Sequence, residues 1–341
     1  MEYRVLGSTG IRVSAICFGA GPVSGWMAEL TPEEQQRVVR RALDVGIKWF
    51  DTAAGYGNGL SEASLGTAFA RLGLPPDVHL ATKVRYMPEH FADIRRHTRD
   101  SFEGSLRRLR VRQVTLLQLH NAITSRREEE PTSITPQDVL GPGGVLEAFQ
   151  ELRSEGRVRS LGLTGIGQAA ALRAAVESGA FATMQVPYNL LNPSAGHRMP
   201  EAFPEANYGN IIADCAMQGM GVFAIRVFAA GALAGNPPSA HTLKTPFFPL
   251  ALYQRDQRRA ARLQKLLGLD RNLKTEAIRF VLSHPHVSAA IIGLREPWQI
   301  DEAAASLATG PLPAEVLKTL LQVAADEAHS MGESAEQGSE D

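Results

Sequence analysis

Apolar positions recur along this chain at two spacings that take turns. Between residues 31 and 45, Val38, Val39, Ala42 and Leu43 repeat at helical spacing. Thr31 and Glu34 stand as a capping-box pair, Pro32 suits the first helical position, and Gly46 supplies the stop. The next run, "IKWFD", is short and has strand character. "SEASLGTAFARLG" then returns to helical spacing through Leu65, Phe69 and Leu72. The exchange continues to the far end of the chain. "HLATKV" (79–84), "TLLQLH" (115–120), "VRSLGLT" (158–164), "TMQVPYN" (183–189), "GVFAIRV" (221–227) and "VSAAIIG" (287–293) predict strands. Segments 93–110, 143–155, 167–179, 205–218, 254–267, 273–283 and 297–308 predict helices. With "VSAICFGA" (13–20) at the front, the pattern predicts a strand and a helix alternating through eight units.

These strands are mostly apolar without strict alternation, as parallel strands covered on both faces are. Eight such units in about 300 residues point to an α/β fold, a (β/α)8 TIM barrel. A doubly wound sheet is the rival, but "FGAGPVSG" matches its glycine-rich phosphate turn poorly and no helix follows at once. The first twelve residues predict a β-hairpin turning at Gly7-Ser8-Thr9-Gly10. One barrel domain over 1–326 is expected. Beyond it, "EAHSMGESAEQGSED" (327–341) reads as a disordered acidic tail. The polar loop 121–142 and the proline-rich stretch 235–253 are long enough to suggest functional loops.

Composition narrows the partners. Formal net charge is -1, with 35 basic and 36 acidic side chains, so charge gives no reason to expect nucleic acid or an anionic membrane. Two cysteines, Cys17 and Cys215, form no CxxC metal spacing, and no metal site is expected. No apolar run is long enough to span a bilayer and the N-terminus lacks a secretory pattern, so a cytoplasmic location is the expectation.

The chemistry gathers at strand ends. In a barrel, the C-terminal ends of the strands carry the reactive groups. Asp51 ends the second predicted strand, Lys83 lies near the end of the third and His120 ends the fourth. Tyr56 follows Asp51 in the glycine-flanked loop of "WFDTAAGYGNGLSE". Taken singly, each has an ordinary explanation as a turn residue, a snorkelling lysine or a packed ring. At one topological level they form a coherent group. A free phenol has a pKa of about 10, and an ammonium beside it favours the phenolate. A carboxylate can hold that ammonium, and a neutral imidazole can hydrogen-bond a carbonyl oxygen. Such a set suits protonation of an oxygen gaining negative charge, as in carbonyl reduction. No side chain donates hydride, so a nicotinamide cofactor is implied.

On these residues the chain resembles the aldo-keto reductases. "FDTAAGYGNGLSE" is similar to that family's Asp-Thr-Ala…Tyr-Gly…Ser-Glu signature, "LATKV" to its lysine motif and "LLQLHN" to its histidine motif. The resemblance implies Asp51, Tyr56, Lys83 and His120 as the catalytic tetrad, with Tyr56 the general acid for reduction. It also implies Gln185 at the nicotinamide carboxamide, Thr164 beside it, and Ile225 or Arg226 near the place where an aromatic ring often stacks. Arg295 and Gln299 would reach a 2′-phosphate and Glu302 the adenine, while Glu296 is a departure that favours a ribose hydroxyl. NADPH is therefore the expected cofactor, with NADH as the alternative. Trp26 and Tyr86 are candidate substrate-pocket residues. The expected activity is NAD(P)H-dependent reduction of the carbonyl of an aldehyde, ketone or sugar, a small-molecule substrate. The alternatives are an aldose dehydrogenase using the same chemistry in reverse and a cofactor-binding regulatory protein with little turnover.

Overall fold

The computed structural model describes residues 1–246, 248–268 and 270–336, with residues 327–336 described by their backbone alone. The chain opens with an antiparallel hairpin of β1 (Tyr3–Val5) and β2 (Arg12–Ser14), in which Tyr3 faces Ser14 and Val5 faces Arg12. Eight further strands follow: β3 (Ile16–Gly19), β4 (Trp49–Asp51), β5 (His79–Val84), β6 (Val114–Leu119), β7 (Val158–Thr164), β8 (Thr183–Pro187), β9 (Gly221–Ile225) and β10 (Ala289–Gly293). They pair in parallel and close into one barrel, β10 joining β3. The α/β barrel with its N-terminal hairpin is the architecture that the alternating pattern predicts.

Local chemistry sets most boundaries. The helix Pro32–Asp44 begins with the expected capping box: Thr31 Oγ1 accepts from Glu34 N, and the Glu34 carboxylate accepts from Thr31 N at 2.8 Å. Asp93 caps the helix Ile94–Leu109. Three regions depart from the expectation. The segment 13–20 is two strands, because Val13 and Ser14 pair within the hairpin and only Ile16–Gly19 enters the barrel. The loop 121–142 holds a helix, Pro136–Leu140, started by a Thr135/Asp138 capping box. Helix Ala314–Glu336 carries the backbone through 336, and its alanines and glutamates are strong helix formers. The rest of the segment expected to be a disordered tail, 337–341, lies outside the described residues.

Alternation along the strands places the site. Successive side chains point to opposite faces, so Trp49 and Asp51, Ala81 and Lys83, and Leu116 and Gln118 share the barrel interior. Register aligns them, with Asp51 opposite Ala81 and Lys83 opposite Gln118. Trp49, Ala81, Leu116 and Phe223 form an apolar lower layer with Cys17 and Ile291, packed together with Leu6, Ile11 and Val13 of the hairpin. The polar residues stack above this layer, near the open rim. Outside the barrel, a larger core packs the helices on the strands. Among the described residues, no helix is long and apolar enough to cross a membrane.

Close backbone approach fixes the helix ring beside the site. A Cβ on Gly66 would stand 2.2 Å from the carbonyl oxygen of Arg108 on the neighbouring helix. Gly66→Ala is therefore expected to destabilise the fold by about 1–3 kcal/mol through overpacking. Urea unfolding checks this, and an unchanged midpoint would contradict so tight a contact.

Candidate active site

The signature segment folds into a set of buried tethers. Thr52 and Ser61 share a 2.7 Å hydrogen bond, and Ser61 donates on to the carbonyl of Ala20 at 2.7 Å. Glu62, fully buried in the helix Leu60–Leu72, accepts from Thr82 on β5 and from Arg108 Nε at 2.7 Å. These contacts fix the turn after β4 to β3, to β5 and to the next helix. The turn carries Tyr56, and its orientation follows from that anchoring.

Asp51 and Lys83 form a wholly buried ion pair inside the barrel. The second Asp51 oxygen accepts from Gln118 Nε2 at 3.1 Å and from Gln185 Nε2 at 2.5 Å. Lys83 Nζ also donates to the Thr52 carbonyl at 2.9 Å and to the Tyr56 hydroxyl at 3.3 Å. The Tyr56 ring meets His120 edge to face, with centroids 5.3 Å apart. The four residues predicted at one rim are thus brought together, in the order Asp51, Lys83, Tyr56, His120.

Electrostatics follow from this enclosure. Burial works to discharge the Lys83 ammonium, but Asp51 and then Tyr56 outweigh it and hold the amine charged above its usual range. His120 is affected in the opposite direction. Burial, then the Arg85 and Lys83 cations, push it well below the usual imidazole range, so it is neutral. Cys17, beneath the site, is an inert thiol pushed up by burial and by Asp51.

Above the tetrad opens a cavity of about 1120 Å³. Asp51, Tyr56 and His120 reach its floor, and the strand ends Gly19, Thr164, Gln185 and Gly293 line it. Arg226, Arg295 and Gln299 are also on its wall, as are Arg85, Glu130, Phe228 and Phe248. Besides His120 Nδ1, two buried polar atoms of lining residues, Thr164 Oγ1 and Arg295 Nε, have no hydrogen-bond partner among the described residues. Each suits a polar group of a ligand, and the two residues are those expected at the nicotinamide and phosphate ends of a dinucleotide.

Several expected residues are placed differently. Trp26 is fully buried with its ring edge-on to Phe18 at 5.4 Å, and does not line the cavity. The short helix Trp26–Glu29 turns the indole inward to the core. Tyr86 is also core: its hydroxyl bonds Thr98 at 2.5 Å on the helix Ile94–Leu109. It lies two residues past the end of β5 and packs in the outer core between strands and helices. Glu302 binds Lys274 at 2.5 Å and Asn272 at 2.9 Å, away from the cavity wall. Gln299 lines the cavity, but its Oε1 accepts from the backbone N–H groups of Arg295 at 2.8 Å and Glu296 at 3.1 Å. Gln185 supports Asp51 as described. Sequence reasoning missed Gln118 and Arg85. Each has a readable signal: Gln118 is a polar residue in an apolar strand two positions before His120, and Arg85 stands two positions after Lys83.

Comparison with known proteins gives a consistent picture. A model of the Aldo/keto reductase family matches residues 15–325. An uncharacterized oxidoreductase, YrpG of Bacillus subtilis (strain 168), is 30% identical over 94% of this chain and 95% of its own length. L-galactose dehydrogenase of Arabidopsis thaliana is 33% identical over 167 residues, with the match covering 49% of each chain. Among solved structures, the holo form of aldo-keto reductase AKR11C1 from Bacillus halodurans shares the fold with a TM-score of 0.69. That likeness covers 95% of this chain and 96% of the other at 24% identity.

Two outcomes test the site's electrostatics. Lys83→Met leaves Asp51 charged and buried without its cation, and is expected to destabilise the fold by about 3–5 kcal/mol. Adding Asp51→Asn should restore part of that loss; strictly additive effects in urea unfolding would contradict the pairing. For His120, the folded value lies below an unfolded value of about 6.5, so the unfolded chain takes up the proton first as pH falls. The contribution to stability is full above that pH and is lost below it. Wild type should therefore lose more stability than His120→Gln between about pH 7.5 and pH 5. Parallel losses would show an ordinary, solvent-equilibrated imidazole.

Proposed function

Because the chain belongs to the aldo/keto reductase family, and with it to the NAD(P)H-dependent oxidoreductases, we propose that it reduces the carbonyl of an aldehyde, ketone or sugar with Tyr56 as general acid. The observation that carries this reading is the continuous chain of contacts from Asp51 through Lys83 to the Tyr56 hydroxyl, beside His120, at the floor of the cavity.

Each side chain has one task. Tyr56 gives its proton to the carbonyl oxygen as that atom gains negative charge. His120, kept neutral, hydrogen-bonds the same oxygen and holds the carbonyl in line. Lys83 donates to the phenol oxygen, so charge left there meets an ammonium in a site largely removed from water. Asp51, with Gln118 and Gln185, keeps the ammonium charged and pointed upward. In alcohol oxidation the same phenol oxygen accepts the proton.

The cavity residues fit a dinucleotide, whose reduced nicotinamide supplies the hydride when bound. Thr164 and Gln185 would hold the nicotinamide end, with Arg226 nearby, and Arg295 and Gln299 the adenosine end. NADPH is the first expectation and NADH the second. Arg85, Glu130, Phe228 and Phe248 are left to shape the substrate pocket.

A second reading, an aldose dehydrogenase, is favoured by the likeness to L-galactose dehydrogenase over half the chain. It uses the same tetrad in the oxidative direction. Sugar oxidation with NAD or NADP, alongside negligible aldehyde reduction, would select it.

Tyr56→Phe removes the proton donor and little else. Turnover of a generic aldehyde panel should fall by about 10²–10⁴-fold, with cofactor binding kept. Equal rates in wild type and variant would refute the assigned role.

A further inference from the structure

Arg295, expected to grip a 2′-phosphate, is already engaged. Its Nη1 donates to the Glu29 carboxylate, and Glu296 Oε1 lies 3.6 Å from its Nε. Glu34 is near enough for Arg295 to help hold its carboxyl down, after the larger effect of its hydrogen bonds with Thr31. Glu29 and Arg295 both line the cavity but come from different loops. Glu29 closes the short helix after β3, and Arg295 follows β10.

The contact is a built one. Glu29 N donates to the Gly25 carbonyl at 2.9 Å. Gly25 has φ +73°, and a Cβ there would stand 2.7 Å from the Glu29 carboxylate oxygen. The carboxylate therefore folds back over Gly25, whose left-handed backbone favours a residue without a side chain. Ser24 of the same turn packs against Gly293, where a Cβ would meet it at 3.2 Å. The Ser24–Gly293 approach is thus a second point, besides the ion pair, at which the two loops meet.

We propose that Glu29 is a specificity-determining residue, which competes with the cofactor's 2′-phosphate for the Arg295 guanidinium. This rests on the nicotinamide-dependent reading above. A 2′-phosphate must take the guanidinium from Glu29 and then lie among carboxylates. A 2′-hydroxyl brings no charge and leaves the ion pair intact. The pair thus lowers affinity for NADPH and leaves affinity for NADH alone. Its size is limited by solvent, because the side chains are 38% and 42% exposed. Loss of one such exposed pair corresponds to about a two- to fivefold change in affinity.

The test is equilibrium titration of the full chain with NADPH and with NADH, following protein fluorescence. Four proteins are compared: wild type, Glu29→Gln, Arg295→Gln and the double variant. Glu29→Gln should tighten NADPH by about two- to fivefold without tightening NADH. Arg295→Gln should weaken NADPH, and in that background the gain from Glu29→Gln should shrink. If wild type binds cofactor and Glu29→Gln leaves the NADPH-to-NADH ratio unchanged, the role of Glu29 is overturned while the oxidoreductase reading stands. If wild type binds neither dinucleotide, both fall together.

Discussion

A carboxylate and an ammonium shut away from water, Asp51 against Lys83, form the constraint on which the site is built. Removing two charges from water is expensive, and the exchange is tolerable only where further polar groups complete the shell. Here Gln118, Gln185 and the Thr52 carbonyl do so. The shell occupies one layer of the barrel interior, directly above apolar Trp49, Ala81, Leu116 and Phe223. Those residues pack together with the hairpin. What remains of the ammonium's hydrogen-bonding capacity is directed upward, at Tyr56.

The same layering places the two rings differently. Tyr56 stands at the boundary, half-buried, where its oxygen meets both the ammonium and the cavity. His120 is turned on edge against it, in reach of the fields of Lys83 and Arg85, and cannot take a proton without adding a third cation. The anchoring of Ser61 and Glu62 keeps the turn that carries Tyr56 in register with β5, which carries Lys83.

How much of this was legible in the sequence depends on range. Asp51, Lys83 and His120 were readable because strand ends in a barrel share one rim, and capping residues such as Thr31 and Glu34 announce a helix start locally. Gln118 was not singled out, although its inward parity with His120 was available, because a lone glutamine in an apolar strand carries no chemistry until its partner is known. Gln185 was read as a cofactor contact, and only the closed barrel shows that Asp51, 134 residues away, accepts from it. Trp26 and Tyr86 each follow a barrel strand closely in sequence, where aromatic rings suggest a pocket. Their burial against Phe18 and Thr98 is decided by packing that no local pattern encodes. The helix Pro136–Leu140 was missed despite its Thr135/Asp138 box, since a charge run beside it reads as loop.

The protonation state of Lys83 is the most direct test of the account. In protein carrying ¹⁵N-labelled lysine, the Lys83 Nζ resonance, assigned by comparison with Lys83→Met, can be followed as pH rises. The account predicts an ammonium that persists above the ordinary lysine value of about 10.4, because the fold raises its affinity for the proton. An amine already neutral near pH 8 would mean that burial outweighs Asp51, and the charge from which the site's chemistry is derived would be absent.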